Sequence, residues 1–315
     1  LTLPLRGGGN LAPSPSQGEG WGEGRYQVKD FSYQRHGSIS LVHLLGKKGR
    51  KEKMGMQFFT TDDNVKLGYM DKGSGVPVIL MAGYSAPATS WFAQEKVLLK
   101  HGYRVIAFDR RSHGSSENPS FGHDMATHGR DLAALLRHLQ IDKAFLIGQS
   151  QGASTMWAYI AQFGTDRLLG VISVDQTPKM INDATWPYGM VGLNETTRPT
   201  FFDNPLPNPT KKSVVKFLLL MVLRGPGYLK FDREGTKPLL LDHADADWRE
   251  TIRGTAVPTL FIAGAESPFW PKEHAAASAA LAARGEYTYV AGSGHAVNWE
   301  CPKEFDQIML EFLSR

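Results

Sequence analysis

From residue 57 onward the chain alternates short apolar runs with amphipathic stretches. No other feature restricts the available folds as strongly. Val78-Ile79-Leu80-Met81-Ala82, Val105-Ile106-Ala107-Phe108, Ala144-Phe145-Leu146-Ile147, Leu169–Val174 and Thr259-Leu260-Phe261-Ile262-Ala263 are apolar at nearly every position. A strand with one wet face alternates apolar and polar residues; one that is apolar throughout is covered on both faces, as in a parallel sheet flanked by helices. Gln57–Thr61, Asp63–Asp71 and Tyr287–Val290 complete the expected strands. Between them Trp91–His101, Met125–Leu139, Gly152–Phe163, Lys272–Arg284 and Glu304–Leu313 read as helices. Met125–Leu139 places apolar residues at 132, 135, 136 and 139, one face of a helix. The expected fold class is α/β, with a mostly parallel sheet flanked by helices.

One stretch breaks the alternation. Residues 178–255 hold prolines at 178, 187, 199, 205, 207, 209, 226 and 238, many aromatics, and an apolar helix over Ser213–Leu223. A parallel crossover needs only about a dozen residues, so this stretch is expected to be a mainly helical cap inserted into a core made of 56–177 and 256–315.

The first 55 residues belong to neither. They hold 11 of the 33 glycines and run G-G-G-N-L-A-P-S-P-S-Q-G-E-G-W-G-E-G without helical or strand periodicity. Such a segment is expected to be a disordered, low-complexity, basic extension. Its text looks like translated bacterial intergenic repeat, which places the expected functional start near Met56. It also explains the charge. Residues 1–55 carry nine Lys/Arg and four Asp/Glu, so the net +4 of the chain becomes −1 over 56–315. The basic balance therefore supports no nucleic-acid partner for the folded part. No apolar run reaches the roughly 18 residues of a membrane span, and no secretory signal is seen, so a cytoplasmic location is expected. The single cysteine, Cys301, excludes an internal disulfide and any multi-cysteine zinc site.

The sharpest chemical signal is Gly148-Gln149-Ser150-Gln151-Gly152, which follows the strand at 144–147 and opens a helix. In that context G-x-S-x-G marks a nucleophile elbow, a strained turn that exposes the Ser150 hydroxyl. The Gln151 N–H, at the start of the helix, faces a developing oxyanion.

With these residues the chain resembles the α/β-hydrolase superfamily, in its serine esterase, lipase and haloperoxidase branch, over nearly all of 56–315. Ala82-Gly83-Tyr84 stands where the family commonly has His-Gly, and the resemblance assigns the second oxyanion N–H to Tyr84. Phe108–Ser116 is similar to the family's D-x-R-G-H-G-x-S turn, with Ser112 in place of a glycine; Asp109, Arg111 and His113 are read there as structural. Gly292-Ser293-Gly294-His295 supplies the base, His295. The family's usual acid follows the penultimate strand, but Phe261–Pro271 has Ser267 at that position. Glu266 stands one residue earlier. Asp175 follows the preceding strand, 25 residues beyond Ser150, where a minority of the superfamily carries its acid. The reading favours Asp175 over Glu266.

The implied enzyme is a carboxylic ester hydrolase that works through a Ser-His-acid triad and an acyl-enzyme, without metal or organic cofactor. Its partner is a small hydrophobic ester or a lactone. Trp186, Tyr188, Phe217, Met221 and Trp270 are expected to bind it, within a wider set that includes Met190, Phe201, Phe202 and Leu220. Cofactor-free haloperoxidase or perhydrolase chemistry on the same triad is the enzymatic alternative. A non-catalytic ligand-binding relative is the more distant one.

Overall fold

The computed structural model describes residues 55–215, 218–219 and 231–315. The expected extension up to residue 54, together with Phe217, Leu220 and Met221, lies outside the described residues. Eight strands form one sheet: β1 (Gln57–Thr60), β2 (Lys66–Lys72), β3 (Pro77–Met81), β4 (Arg104–Phe108), β5 (Ala144–Gln149), β6 (Leu168–Val174), β7 (Thr259–Gly264) and β8 (Gly285–Val290). Their spatial order is β1-β2-β4-β3-β5-β6-β7-β8. The first two junctions, β1 with β2 and β2 with β4, are antiparallel, and every later one is parallel.

The apolar runs are covered on both faces, as the sequence demands. Ile79 and Met81 of β3 enter one core cluster, and Val78 and Leu80 enter the other. β5 and β6 divide in the same way, with Leu146 and Val171 on one face and Ile147 and Ile172 on the other. Helices α2 (Met125–His138) and α3 (Gln151–Phe163) cover the first face through Leu132, Leu135, Met156 and Trp157. Helices α1 (Phe92–Lys100) and α8 (Pro302–Leu313) cover the second through Leu98, Phe305 and Met309. Asp124 caps α2 by accepting the Thr127 N–H at 2.6 Å.

Between β6 and β7 the described chain is richer in turns than in helices. It contains a 3₁₀ turn at Phe201–Asp203, α4 (Lys237–Asp245) and α5 (Arg249–Arg253). Met180, Ile181, Met190 and Leu193 of this insertion pack with Phe269 and Trp270 of the loop after β7. After that loop, α6 spans only His274–Ala279, shorter than the expected Lys272–Arg284. The chain must reverse there to lay β8 beside β7. Gly285 makes this possible by packing its backbone against Ala279, where a Cβ would stand 2.1 Å from the carbonyl oxygen. The short helices α7 (Val297–Glu300) and α8 end the chain.

The turn after β4 carries a measurable strain. Asp109 accepts the Ala88 N–H at 2.6 Å and the Ser115 N–H at 2.7 Å. Arg111 forms a bidentate pair with Asp131, 2.7 Å on each arm. These contacts fix the turn, and Ser112 within it takes φ +65° with its buried hydroxyl unpartnered. A left-handed non-glycine residue costs about 1–2 kcal/mol. Ser112→Gly should therefore stabilise the fold by about 1 kcal/mol and raise Tm by about 2–4 °C. An unchanged or lower Tm by calorimetry would refute this account of the turn.

Candidate active site

Because β3 to β8 run parallel, their C-terminal ends and the loops leaving them share one edge of the sheet. Gly83 and Tyr84 follow β3, Arg110 follows β4, Ser150 follows β5, Asp175 follows β6, Ser267 and Trp270 follow β7, and His295 follows β8.

Ser150 sits at φ +53° and ψ −128°, a conformation a serine adopts only when its surroundings impose it. Its N–H donates to the Val174 carbonyl at 2.9 Å, and its own carbonyl accepts from Ala153 at 2.8 Å. The elbow packs directly on β3: a Cβ on Gly152 would stand 2.2 Å from the Met81 carbonyl oxygen. Gln151 is the first residue of α3, whose leading N–H groups have no partner within the helix. Across from it, the turn after β3 closes through the Ala86 N–H to the Gly83 carbonyl at 3.2 Å. The Tyr84 hydroxyl pairs with Thr236 Oγ1 at 3.0 Å, and its ring meets Phe231 edge-on.

The other side of the site is built around Asp175, whose carboxylate is fully buried. Oδ1 accepts the Gly264 N–H at 2.8 Å. Oδ2 accepts from His295 Nδ1 at 2.7 Å, Ser267 Oγ at 2.7 Å and Trp270 Nε1 at 3.2 Å. An ionised carboxylate only accepts, so His295 carries its proton on Nδ1 and keeps the Nε2 lone pair free for chemistry. Burial alone would raise the Asp175 carboxyl; the imidazoles of His274, 3.7 Å away, and His295 outweigh it and hold it at about 2. Glu266, the other candidate, is exposed and pairs with Lys211 at 2.8 Å. Ser267 stands where the resemblance expects a carboxylate, and its hydroxyl reaches Asp175 instead.

The His295 loop is tied down independently of the ring. The His295 N–H donates to the Pro209 carbonyl at 2.8 Å, and its carbonyl accepts from Gln149 Nε2 at 3.3 Å. Glu300 accepts the N–H groups of Gly294, Lys211 and Lys212 at 2.7–3.0 Å. Phe269 and Trp270 pack edge-on against the imidazole, with centroids 4.6 and 5.5 Å away.

Ser150 and His295 both open into a cavity of about 820 Å³ lined by Tyr84, Gln149, Met180, Met190, Phe202, Leu206, Leu240, His243, Phe269, Trp270 and Trp299. The volume is within the ordinary range for small-molecule sites. Of the expected substrate contacts, Trp270 lines this cavity, and it also donates to Asp175. Trp186 and Tyr188 do not line it, which corrects the sequence reading. The Trp186 indole donates to Thr177 Oγ1 at 2.9 Å, so the ring is buried against the insertion's own base with Tyr188 packed edge-on upon it. Phe217 and Met221 lie outside the described residues. The sequence reading missed Phe269, His243, Ser267 as a donor, and Arg110. Ser267 stood out only as a departure at the usual acid position, and nothing in the spacing of Phe269, His243 or Arg110 marks them.

Residues 76–302 match the family model of the alpha/beta hydrolase fold, and the chain belongs to that family. A non-heme chloroperoxidase of Streptomyces lividans is 40% identical over 134 residues, which is 42% of this chain and 49% of that protein. A bifunctional esterase/perhydrolase of Acinetobacter calcoaceticus is 28% identical over 82% of this chain and 99% of its own. The solved structure of an esterase from Exiguobacterium antarcticum superposes with a TM-score of 0.74 at 21% identity, over 82% of this chain and 99% of that one.

The depressed Asp175 carboxyl has a consequence for acid stability. Its pKa lies below the unfolded value near 3.8, so the stability it contributes is complete above about pH 5 and is lost as pH falls toward 2. The difference corresponds to about 2 kcal/mol. In urea unfolding, the advantage of wild type over Asp175→Asn should shrink by about this amount between pH 7 and pH 2.5. An advantage that stays constant over this interval would contradict a carboxylate held ionised.

Proposed function

We propose that this alpha/beta hydrolase is a serine hydrolase of small hydrophobic carboxylic esters, with Ser150 as nucleophile, His295 as base and Asp175 as the acid. The observation that carries this reading is the short His295–Asp175 hydrogen bond behind a cavity that His295 and the strained Ser150 both line. The Ser150 hydroxyl gives its proton to His295 Nε2 as Oγ bonds to the acyl carbon. Asp175 stabilises the imidazolium that forms. The N–H groups of Tyr84 and Gln151 receive the oxyanion. Collapse of the tetrahedral intermediate breaks the bond to the alcohol, which departs with the proton from His295. Water, activated by the same imidazole, then cleaves the acyl-enzyme. The apolar lining from Met180, Met190, Phe202, Phe269 and Trp299 favours an apolar acyl or alcohol group.

A second reading shares every step up to the acyl-enzyme. Hydrogen peroxide in place of water would release a peroxyacid, which can oxidise halide. It is supported by the esterase/perhydrolase relative, which matches nearly end to end.

A panel of p-nitrophenyl esters of increasing chain length, with lactones alongside, tests the reading. Wild type should turn over short to medium esters and be labelled by a fluorophosphonate probe, and Ser150→Ala should lose both. Asp175→Asn should lower kcat by about 10⁴-fold, while Glu266→Gln stays within about twofold of wild type. Absence of probe labelling would favour a ligand-binding relative without chemistry. Loss of activity in Glu266→Gln instead would move the acid. Bromination of monochlorodimedone in the presence of peroxide and a carboxylic acid, abolished in Ser150→Ala, would establish the second activity.

A further inference from the structure

The expected oxyanion donors rest on a buried cation that the triad does not use. Arg110 is 2% exposed, lying behind the loop after β3 and the start of α3. Its Nη2 donates to the Gly83 carbonyl at 2.8 Å and its Nη1 to Gln151 Oε1 at 2.6 Å. The Gly83 carbonyl and the Tyr84 N–H belong to one planar peptide group, and they point in opposite directions because that group is trans. A hydrogen bond to the carbonyl, which Arg110 shares with the Ala86 N–H at 3.2 Å, therefore also orients the N–H expected as the oxyanion donor. Rotating this peptide would turn a carbonyl oxygen toward the site and abolish the donor. The same bond polarises the peptide and strengthens its N–H as a donor.

The remaining contacts of Arg110 are neutral. Its guanidinium approaches His113 Nε2 at 3.1 Å and His128 Nδ1 at 3.4 Å. His113 donates its Nδ1 proton to the Arg111 carbonyl at 2.9 Å, which leaves Nε2 as an acceptor. Burial and the guanidinium itself push both imidazoles far below their usual range, so both stay uncharged. Burial also lowers Arg110, to about 9, and it remains a cation at neutral pH. Among the described residues no carboxylate touches it: Asp109 is bound to backbone N–H groups and Asp131 to Arg111. A positive charge thus stands directly behind the point where negative charge develops.

We infer that Arg110 is a positioning residue that locks the Gly83–Tyr84 peptide and the first residue of α3 as oxyanion donors and adds positive potential behind them. The inference rests on the serine hydrolase reading above. It predicts a loss specific to the tetrahedral state.

The test compares wild type, Arg110→Met and Arg110→Lys on one p-nitrophenyl ester, with the Ki of phenylboronic acid, which forms a tetrahedral adduct on serine, as second readout. Folding is checked by circular dichroism and thermal unfolding. Arg110→Met should lower kcat by about 10²–10³-fold, the loss typical of one oxyanion donor, with KM within about threefold. Phenylboronic acid affinity should fall in parallel. Arg110→Lys keeps the charge but cannot hold both acceptors, and should recover part of each. A folded Arg110→Met with unchanged kcat or unchanged boronate Ki, a change confined to KM, or loss of folding in both variants would overturn the inference. If wild type itself is neither labelled by fluorophosphonate nor active on any ester, the serine hydrolase reading fails, and this inference with it. Active wild type with unaffected Arg110 variants sinks only the inference.

Discussion

One buried carboxylate holds the candidate site together. Asp175 sits at φ +44° just after β6 and gathers groups from two neighbouring strand ends: Gly264 at the end of β7, Ser267 and Trp270 in the loop beyond it, and His295 after β8. A carboxylate with no exposure is costly to desolvate unless its lone pairs are filled. Four hydrogen bonds fill them, each worth about 1.5–3 kcal/mol when the acceptor is charged. The dependence runs both ways. The donors make the buried charge tolerable, and the charge fixes the loops that carry the donors. The orientation of the His295 ring and its tautomer are by-products of this arrangement.

Arg110 completes the pattern from the other side of Ser150. In the serine hydrolase reading, acylation creates two charges within a few ångströms, an imidazolium on His295 and an oxyanion on the substrate. A buried anion lies behind the first and a buried cation behind the second. Neither needs to move when the charges appear, so the site avoids the reorganisation that water would require. The cation is surrounded by neutral imidazoles rather than a carboxylate. A direct ion pair would cancel much of its field at the elbow.

The layout of the sheet was legible in the sequence because every central strand is buried on both faces and so leaves an uninterrupted apolar run. Ser150 was legible for a related reason: the elbow demands glycines on either side of it and a strand and helix beyond them, and all of these are visible in one dimension. The carboxylate that pairs with His295 was harder to read. Ser267 reads as a departure from the pattern, and only in three dimensions does its hydroxyl turn toward Asp175. Arg110 carries no signal, since its partners are a carbonyl 27 residues away and an amide 41 residues away. Trp186 misled for the opposite reason. An aromatic residue in an insertion suggests a binding wall, but its indole N–H found a partner in Thr177 and the ring became part of the packing.

The chemistry common to the two functional readings ends at the acyl-enzyme, where water and peroxide compete as the second nucleophile. Both need the same imidazole lone pair and the same oxyanion donors. The choice depends on how the cavity solvates the attacking molecule. Here the lining divides into two regions. Met180, Met190, Phe269 and Trp299 make it apolar, while Asp203, Arg233, Glu234 and Lys237 make it charged. The charged group is balanced in sign, and Lys237 pairs with Asp203 at 2.8 Å, so it presents little net field to an anionic substrate. His243 belongs to the insertion and reaches the cavity as a neutral imidazole, since burial first and Arg110 second lower it to about 3. It can therefore donate or accept a hydrogen bond as an uncharged ring. The insertion between β6 and β7 thus supplies the cavity with sign-balanced charges, one neutral imidazole and part of its apolar wall.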